Sequence, residues 1–300
     1  MALHEAGHEI ALAVTQPDRP VGRTQELVAP PVKQKALAAG IPVTQPDKIR
    51  NNADFRAQLE SIAPDAIIVV AYGRIIPPWM LILPPYGCIN LHGSLLPRYR
   101  GAAPIQWAIA MGETVTGNTT MILEEGLDTG PILLQQAVVI RPEQTAVEVY
   151  EELAVGGAPL MVETLEGLAA RTIEPQAQDH SRATLAPLLD REDGRMDFST
   201  FTATQLKNRW RGFQPWPGAF TTLNGKKLIV HRLDMAETPP PDAHAAAECG
   251  QLVIADRRMF VACAGNTWLE LIELQLEGKK RLPAAEFLNG MPVAAGVRLG

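Results

Sequence analysis

The sequence predicts an α/β domain with a doubly wound, mostly parallel sheet, followed by a small antiparallel β-barrel of OB-like kind. Three observations predict it. Over the first two-thirds, apolar β-branched runs alternate with helical patterns, as in successive βαβ units. Residues 173–192 are polar, lack clear periodicity and include Pro175 and Pro187, so they read as a linker. Beyond them strands follow at short spacing, two of them joined by Asn224-Gly225, a strong hairpin signal. The expected divisions are therefore an N-terminal domain over 1–172, the linker over 173–192 and a barrel domain over 193–300.

The elements justify this in order. Glu9 to Thr15 (EIALAVT) reads as a strand and leads into a proline-rich loop from Gln16 to Pro31. Val32 to Ala39 is a short helix ended by Gly40. Ala66 to Tyr72 (AIIVVAY), ended by Gly73, suits a strand buried on both faces of a parallel sheet. Cys88 to Leu91 is a further short strand, and Pro104 opens a helix that Gly112 closes. Asn118 to Leu123 and Ile132 to Ile140 are strands. A longer helical pattern from about Thr145 to Ala170 is weakened by Gly156, Gly157 and Pro159. In the C-terminal part, Thr202 to Phe213 reads as a helix broken by QPWPG. The strands FTTL, KKLIVHRL, QLVIADRRMFVACA and WLELIELQL follow, with a flexible loop at Pro239 to Glu248.

Composition bounds the function classes. The chain has 300 residues, 46% hydrophobic and 20% charged, enough apolar side chains for a substantial core. No apolar run is long enough to cross a bilayer, and the first residues show no basic segment followed by an apolar stretch. Cys88, Cys249 and Cys263 are too scattered for a disulfide frame or a zinc site; buried free thiols and a cytoplasmic location are expected. The net charge of −6 is uneven: residues 1–195 hold 15 Lys and Arg against 23 Asp and Glu, and residues 196–300 hold 12 against 10. A mildly basic C-terminal part is compatible with a polyanion there, and equally with ordinary surface scatter.

The chemistry concentrates in NLHGSLLPRYRGAAP, Asn90 to Pro104. Asn90 and His92 alternate at a strand end, so their side chains share one side. That end is the carboxyl edge of the sheet, where open α/β folds bind ligands. A second segment, EEGLDTGP, brackets Asp128 between Gly126 and Gly130. Each residue alone also has a structural reading: a turn aspartate, a packed histidine, a capping asparagine. Ser94 is not in a G-x-S-x-G elbow, which argues against a serine hydrolase. Neither G-x-G-x-x-G nor G-x-x-x-x-G-K-[ST] occurs, so neither a nicotinamide nor an ATP site is expected, and no metal is needed.

Asn-x-His-Gly-Ser-Leu-Leu-Pro, Arg-x-Arg-Gly-Ala-Ala-Pro and the later Gly-Leu-Asp-Thr-Gly resemble the folate-dependent formyltransferases, and within them the branch that acts on methionyl-tRNA. TQPDRPVGR, VVAYGRIIP and PWPG extend the likeness over nearly the whole chain. The resemblance implies that 10-formyltetrahydrofolate donates a formyl group to the free amine of initiator methionyl-tRNA in translation initiation. It implies catalytic roles for Asn90, His92 and Asp128, and a folate-contacting loop at Ser94, Leu95, Leu96 and Pro97. Asn90 and His92 are expected to donate hydrogen bonds to the oxyanion formed by attack, with Asp128 orienting His92 or helping take the amine's proton. Sugar-nucleotide formyltransferases and formyltetrahydrofolate hydrolases share these residues and stay open as alternatives, as does an inactive shortened product.

For the tRNA, the resemblance implies a contact by Arg23. The basic residues Lys207, Arg209, Arg211, Lys226 and Lys227 are further candidates, together with Arg232, Arg257, Arg258, Lys279, Lys280 and Arg281. Thr24-Gln25-Glu26-Leu27 stands where that family often has Gly-Lys-Lys-Leu. A monomer is expected. MALHEAGHE corresponds to the tail of the family's first helix, so a first strand and its Phe-x-Gly-Thr-Pro-like turn are expected to be missing. Such a strand buries about four large side chains at ~1.5–3 kcal/mol each. The sum, roughly 6–12 kcal/mol, rivals the ~5–15 kcal/mol stability of a domain, so a shortened and unstable chain is expected.

Overall fold

The computed structural model describes the chain from Met1 to Gly300 apart from residues 23, 24, 237, 242–246, 292 and 295. The chain opens with α1 (Ala2–Glu5), β1 (Ala13–Val14), the hairpin β2 (Arg19–Val21) and β3 (Glu26–Val28), α2 (Pro31–Ala38) and β4 (Val43–Thr44). Then come α3 (Ala53–Ile62), β5 (Ile67–Val70), α4 (Pro78–Leu81), β6 (Cys88–His92), β7 (Arg100–Gly101) and α5 (Pro104–Ala110). They lead into β8 (Val115–Ile122), β9 (Ile132–Val139), α6 (Ala146–Ala169) and β10 (Leu185–Ala186). The last third holds α7 (Ala203–Gly212), β11 (Phe220–Leu223), β12 (Lys226–Met235), β13 (Leu252–Ala255), β14 (Arg258–Cys263), β15 (Thr267–Leu276), β16 (Leu282–Pro283) and α8 (Ala284–Gly290).

The chain divides into two compact units. One is Met1–Ala102, Thr116–Val138 and Glu151–Ala186; the other is Ala103–Val115, Val139–Tyr150 and Pro187–Gly300. The first unit carries a four-stranded sheet in the order β5-β6-β8-β9, with β5 and β6 parallel and β6 and β8 antiparallel, so the sheet is mixed. A separate parallel pair joins β1 to β4. β1 and β5 do not pair with each other, and among the described residues each has a hydrogen-bonded strand on one side only.

That arrangement corrects two expectations. The strand expected from Glu9 is ordered as β only at Ala13–Val14, because its partner β4 offers just two residues in register. β5 is not buried on both faces. As an edge strand it leaves Ile67, Ile68 and Val69 half-buried and Val70 54% exposed. One core cluster of this unit lies behind α3, where Ile49, Phe55, Leu59, Met80 and Cys88 pack together, and another joins Ile89, Leu133 and Met161. α3 starts at an Asn52 cap whose side chain accepts from the Phe55 amide at 3.0 Å. α6 runs unbroken through Gly156, Gly157 and Pro159, because its packing outweighs weak local propensity. Asn118 Nδ2 bonds the Leu153 carbonyl at 2.8 Å, and Thr120 meets Thr164 at 2.8 Å.

In the second unit β11-β12-β15-β14-β13 form one antiparallel path, with β16 added to β15. Bridges from Leu299 to Leu223 and from Arg298 to Gln251 tie both outer ends of that path to one segment, closing the edges there as a barrel does. Asn224 and Gly225 take φ of 51° and 74°, the mirror-image turn that a two-residue hairpin needs. α7 begins with a capping box between Thr202 and Gln205. α5 belongs to this unit: Trp107 meets Phe213 edge-on at 5.3 Å and donates to the Pro187 carbonyl at 2.9 Å. Cys263 and, in the first unit, Cys88 are buried, and burial pushes both thiols up to about 12. Cys249 is only half-buried, unlike the expectation for all three.

Candidate active site

β6 carries Asn90 and His92 two residues apart at its carboxyl end, in register with Val69 of β5 and with Met121 and Thr119 of β8. Ile89, next to Asn90, is fully buried, so the pleat places Asn90 and His92 on the opposite face from it. The His92 ring is 6% exposed, and its Nε2 lies 2.9 Å from the Tyr99 carbonyl oxygen. A carbonyl only accepts, so Nε2 carries the proton. Nδ1 is the position left for chemistry. The Asp128 carboxylate faces it, with Oδ2 at 3.7 Å and the side chain 14% exposed. With Nε2–H engaged by the Tyr99 carbonyl, a hydrogen bond from this ring to a ligand would come from Nδ1.

Asp128 sits in a loop shaped by close approach. Its φ of 48° is left-handed, a conformation aspartate tolerates better than most side chains. A Cβ at Gly130 would lie 1.9 Å from the Ile122 carbonyl oxygen, so only glycine lets the loop return against β8. The Gly101 amide donates to Asp128 Oδ2 at 2.8 Å and aims that carboxylate. The half-buried Asn90 amide has no side-chain partner among the described residues, which leaves it open to a ligand.

The Ser94–Pro97 loop turns mostly inward. The fully buried Ser94 hydroxyl donates to the Arg98 carbonyl at 2.7 Å. The Leu96 amide donates to Thr119 Oγ1 at 3.2 Å, and its carbonyl accepts from Gln135 at 2.9 Å. Leu95 and Pro97 are half-buried and are the members of the loop that keep accessible surface. At the carboxyl ends of β1 and β5 lies an open cleft of about 570 Å³, lined by Gln16, Arg19, Pro30, Tyr72 and Arg74 among others. Arg74 holds Gln16 Oε1 at 2.8 Å, and Gln16 in turn donates to the Tyr72 carbonyl at 2.8 Å. The buried Tyr72 hydroxyl has no partner among the described residues, and burial raises its pKa. Residues 72–74 follow β5, which is parallel to β6, so this cleft opens at the same sheet edge as His92.

The basic candidates separate sharply. Arg23 lies outside the described residues. Lys207 is buried, with Nζ 2.9 Å from Glu143 and 2.8 Å from Asp234. Arg211 is buried and donates to the carbonyls of Arg141 and Gln144 at 3.2 and 2.8 Å. Arg209 lies over the rings of Phe201, Phe213 and Trp107 at 4.7, 4.9 and 5.9 Å. Lys207 and Arg211, four residues apart on one face of α7, face inward in their own unit, and Arg209 is half-buried against those rings. Lys226 is exposed at the hairpin tip, and Lys227 lies with Nζ 3.8 Å from the Phe220 ring centre. Arg258 and Arg281 pair with Glu270 and Glu273. Sequence reasoning missed Tyr99, Gly101, Gln178 and Thr184. Tyr99 and Gly101 lie within the Arg98–Pro104 motif but act through backbone groups, and Gln178 and Thr184 come from about fifty residues beyond Asp128, where no local pattern marks them.

Among the described residues no cluster of His, Cys, Asp or Glu is suited to a metal ion, and no helix is long and apolar enough to cross a membrane. Residues 1–165 match the family described as Formyl transferase, and residues 188–292 match Formyl transferase, C-terminal domain. The chain is 62% identical to a protein of Acidobacterium capsulatum named methionyl-tRNA formyltransferase, covering 100% of this chain and 94% of that one. A protein of the same name from Koribacter versatilis is 54% identical, covering 98% and 92%. Among solved structures, the sugar 3N-formyl transferase WlaRD matches with a TM-score of 0.59 at 15% identity, over 91% of this chain and 100% of that one. HypX from Aquifex aeolicus in complex with tetrahydrofolic acid matches with a TM-score of 0.59 at 19% identity, over 85% and 43%. At those identities the likeness is one of fold.

Proposed function

Because the chain belongs to the formyl transferase family, we propose that it transfers a formyl group from 10-formyltetrahydrofolate to the amino group of initiator methionyl-tRNA, in the cytoplasm, as a step of translation initiation. The observation that carries the reading is the gathering of Asn90, His92 and Asp128 at one sheet edge, with His92 Nε2 engaged and Nδ1 turned to Asp128. The unpartnered Asn90 amide and the unpartnered Tyr72 hydroxyl beside the cleft fit a polar donor such as a folate.

The reaction moves one proton and one acyl group. The amine nitrogen bonds to the formyl carbon, and the carbonyl electron pair moves to oxygen. Asn90 Nδ2–H is aimed to donate to that oxygen; one such donor is typically worth ~3–4 kcal/mol in the transition state. Neutral His92, protonated at Nε2, takes the amine's proton on Nδ1. Asp128 stabilises the imidazolium so formed. As the oxygen's pair returns and the bond to the folate nitrogen breaks, the Nδ1 proton passes to that nitrogen. Leu95 and Pro97 are the members of the Ser94–Pro97 loop suited to touch the donor. The tRNA contacts proposed are Arg23 and the hairpin lysines Lys226 and Lys227, with Lys207, Arg209 and Arg211 supporting their unit from within.

The test is a formylation assay with 10-formyltetrahydrofolate and three acceptors in parallel: methionyl-tRNA, a nucleotide-linked amino sugar, and water alone. Formyl-methionyl-tRNA as the dominant product is expected. Preferential formylation of the sugar, or hydrolysis unaffected by either amine, would overturn the reading.

A further inference from the structure

We infer that Gln178, in the stretch whose sequence reads as a linker, is a positioning residue for the proposed transfer: it clamps the Asp128 loop so that the carboxylate meets His92 Nδ1. The inference rests on the function proposed above. Gln178 is 6% exposed. Its Nε2 donates to the carbonyls of Asp128 at 2.8 Å and Gly130 at 2.7 Å. These two bonds use both amide hydrogens, and they hold the loop at and just after the residue with left-handed φ. Its Oε1 accepts from Arg100 Nε and Nη2 at 3.2 and 2.6 Å. Arg100 is buried as well, and a guanidinium only donates, so the amide has one orientation.

The same stretch holds the histidine side of the pair. Thr184 Oγ1 accepts from the Tyr99 amide at 2.9 Å, and the Thr184 carbonyl accepts from the Arg100 amide at 2.8 Å. Leu185 and Ala186 then pair with Arg100 and Gly101 as parallel strands β10 and β7. Tyr99 supplies the carbonyl that fixes His92 Nε2, and Gly101 supplies the amide that aims Asp128 Oδ2. At the other end, Gln176 and Ile132 exchange backbone bonds at 2.8 Å in both directions. Among the backbone points that residues 176–186 hold are Tyr99, Gly101 and the Asp128 carbonyl. Those points set where imidazole and carboxylate meet. Gln178 is the side chain that joins the aspartate loop to the 99–101 segment, through Arg100.

Gln178→Glu is close to isosteric and keeps the acceptor for Arg100, but it turns carboxylate oxygens toward the two carbonyls. Gln178→Leu removes both functions and serves as the second variant. In steady-state formylation of methionyl-tRNA, kcat should fall at least tenfold for either variant, with tetrahydrofolate affinity changed less than twofold. In an Asp128→Asn background, Gln178→Glu should add little further loss, because the residue acts through Asp128. Hydrogen exchange gives a readout that needs no turnover. The Gly101 amide should be protected in the parent chain and exchange faster in the folded Gln178→Glu variant. Additive losses in the double variant, or unchanged Gly101 protection, would overturn the clamp. If the parent chain fails to formylate, the functional reading falls, and Gly101 exchange still decides the clamp.

Discussion

The two units hold themselves together differently. Among the described residues of the first, hydrogen-bonded strands fall into one four-stranded sheet and three two-stranded pairs, and β1 and β5 keep an unpaired side. In the second, one antiparallel path is closed at both ends by residues 298 and 299. Among the described residues its main core cluster runs from Met196 to Leu299, while the first unit has smaller clusters, one behind α3 and one around Ile89, Leu133 and Met161. In the first unit some buried polar groups pack α6, as Asn118, Thr120 and Thr164 do, and others gather at the candidate site, where His92, Ser94, Arg100 and Gln178 are held by specific bonds. The second has buried polar groups too, but Lys207 and Arg211 are there for architecture. The proposed chemistry thus sits where strands are short and backbone groups are free to be aimed. Stability sits where apolar area is large and edges are closed.

Removing the group at the centre of the first unit should give the largest effect. His92→Ala is expected to lower kcat by roughly 10²–10⁴-fold, the usual worth of a positioned acid–base group. The fold should survive, at a cost of about 1–3 kcal/mol for the hydrogen bond that His92 Nε2 no longer makes. Wild-type turnover in the folded variant would make His92 structural and erase the functional half of the comparison. In the second unit, Leu271→Ala opens the core at a fully buried position of β15 and should cost about 2–5 kcal/mol in urea unfolding. Val70→Ala, on the exposed edge of β5, should cost no more than about 0.5 kcal/mol. Equal costs would deny that the closed sheet is the stable region.

A finer test separates inward from outward cations. Replacing Lys226 and Lys227 together by Ala should weaken tRNA binding and lower the salt slope of log Kd by about 1 for each phosphate no longer neutralised. Lys207→Met should leave that slope unchanged; a shift would show that α7 faces phosphate. The smallest effect concerns pH. Burial pulls the Lys207 ammonium down, but its bonds to Asp234 and Glu143 outweigh this and hold it above its usual 10.5. The Lys207 hydrogen bond holds Asp234 below 3.8. The pair therefore stabilises above pH 3.8, and this is lost as pH falls through the lowered Asp234 value. On the alkaline side it is present below pH 10.5 and lost as pH rises through the raised Lys207 value. Asp234 is 54% exposed at its side chain, so solvent screening limits the gain to about 0–1 kcal/mol. Lys207→Met should flatten both limbs of a stability–pH profile, and an unchanged profile would remove the pair's role.

The sequence by itself determined what depends on near neighbours. Asn90 and His92 share a side because a strand alternates with period two, and Asp128 stands out because glycines bracket it. Asn224-Gly225 specified its turn, and Thr202 with Gln205 capped α7, since both rest on bonds within four residues. The tertiary structure decided everything that depends on distant partners. The apolar run around β5 looked like a buried strand, yet burial depends on what pairs and covers it. Lys207 and Lys226 are the same residue type, and only packing put the first between Glu143 and Asp234 and the second at a hairpin tip. Gln178 reaches the Asp128 carbonyl from fifty residues away and Arg100 from seventy-eight, in a stretch with no periodicity of its own. A hydrogen bond between residues so far apart carries no local signature, because its geometry comes from the folded chain and not from spacing along it.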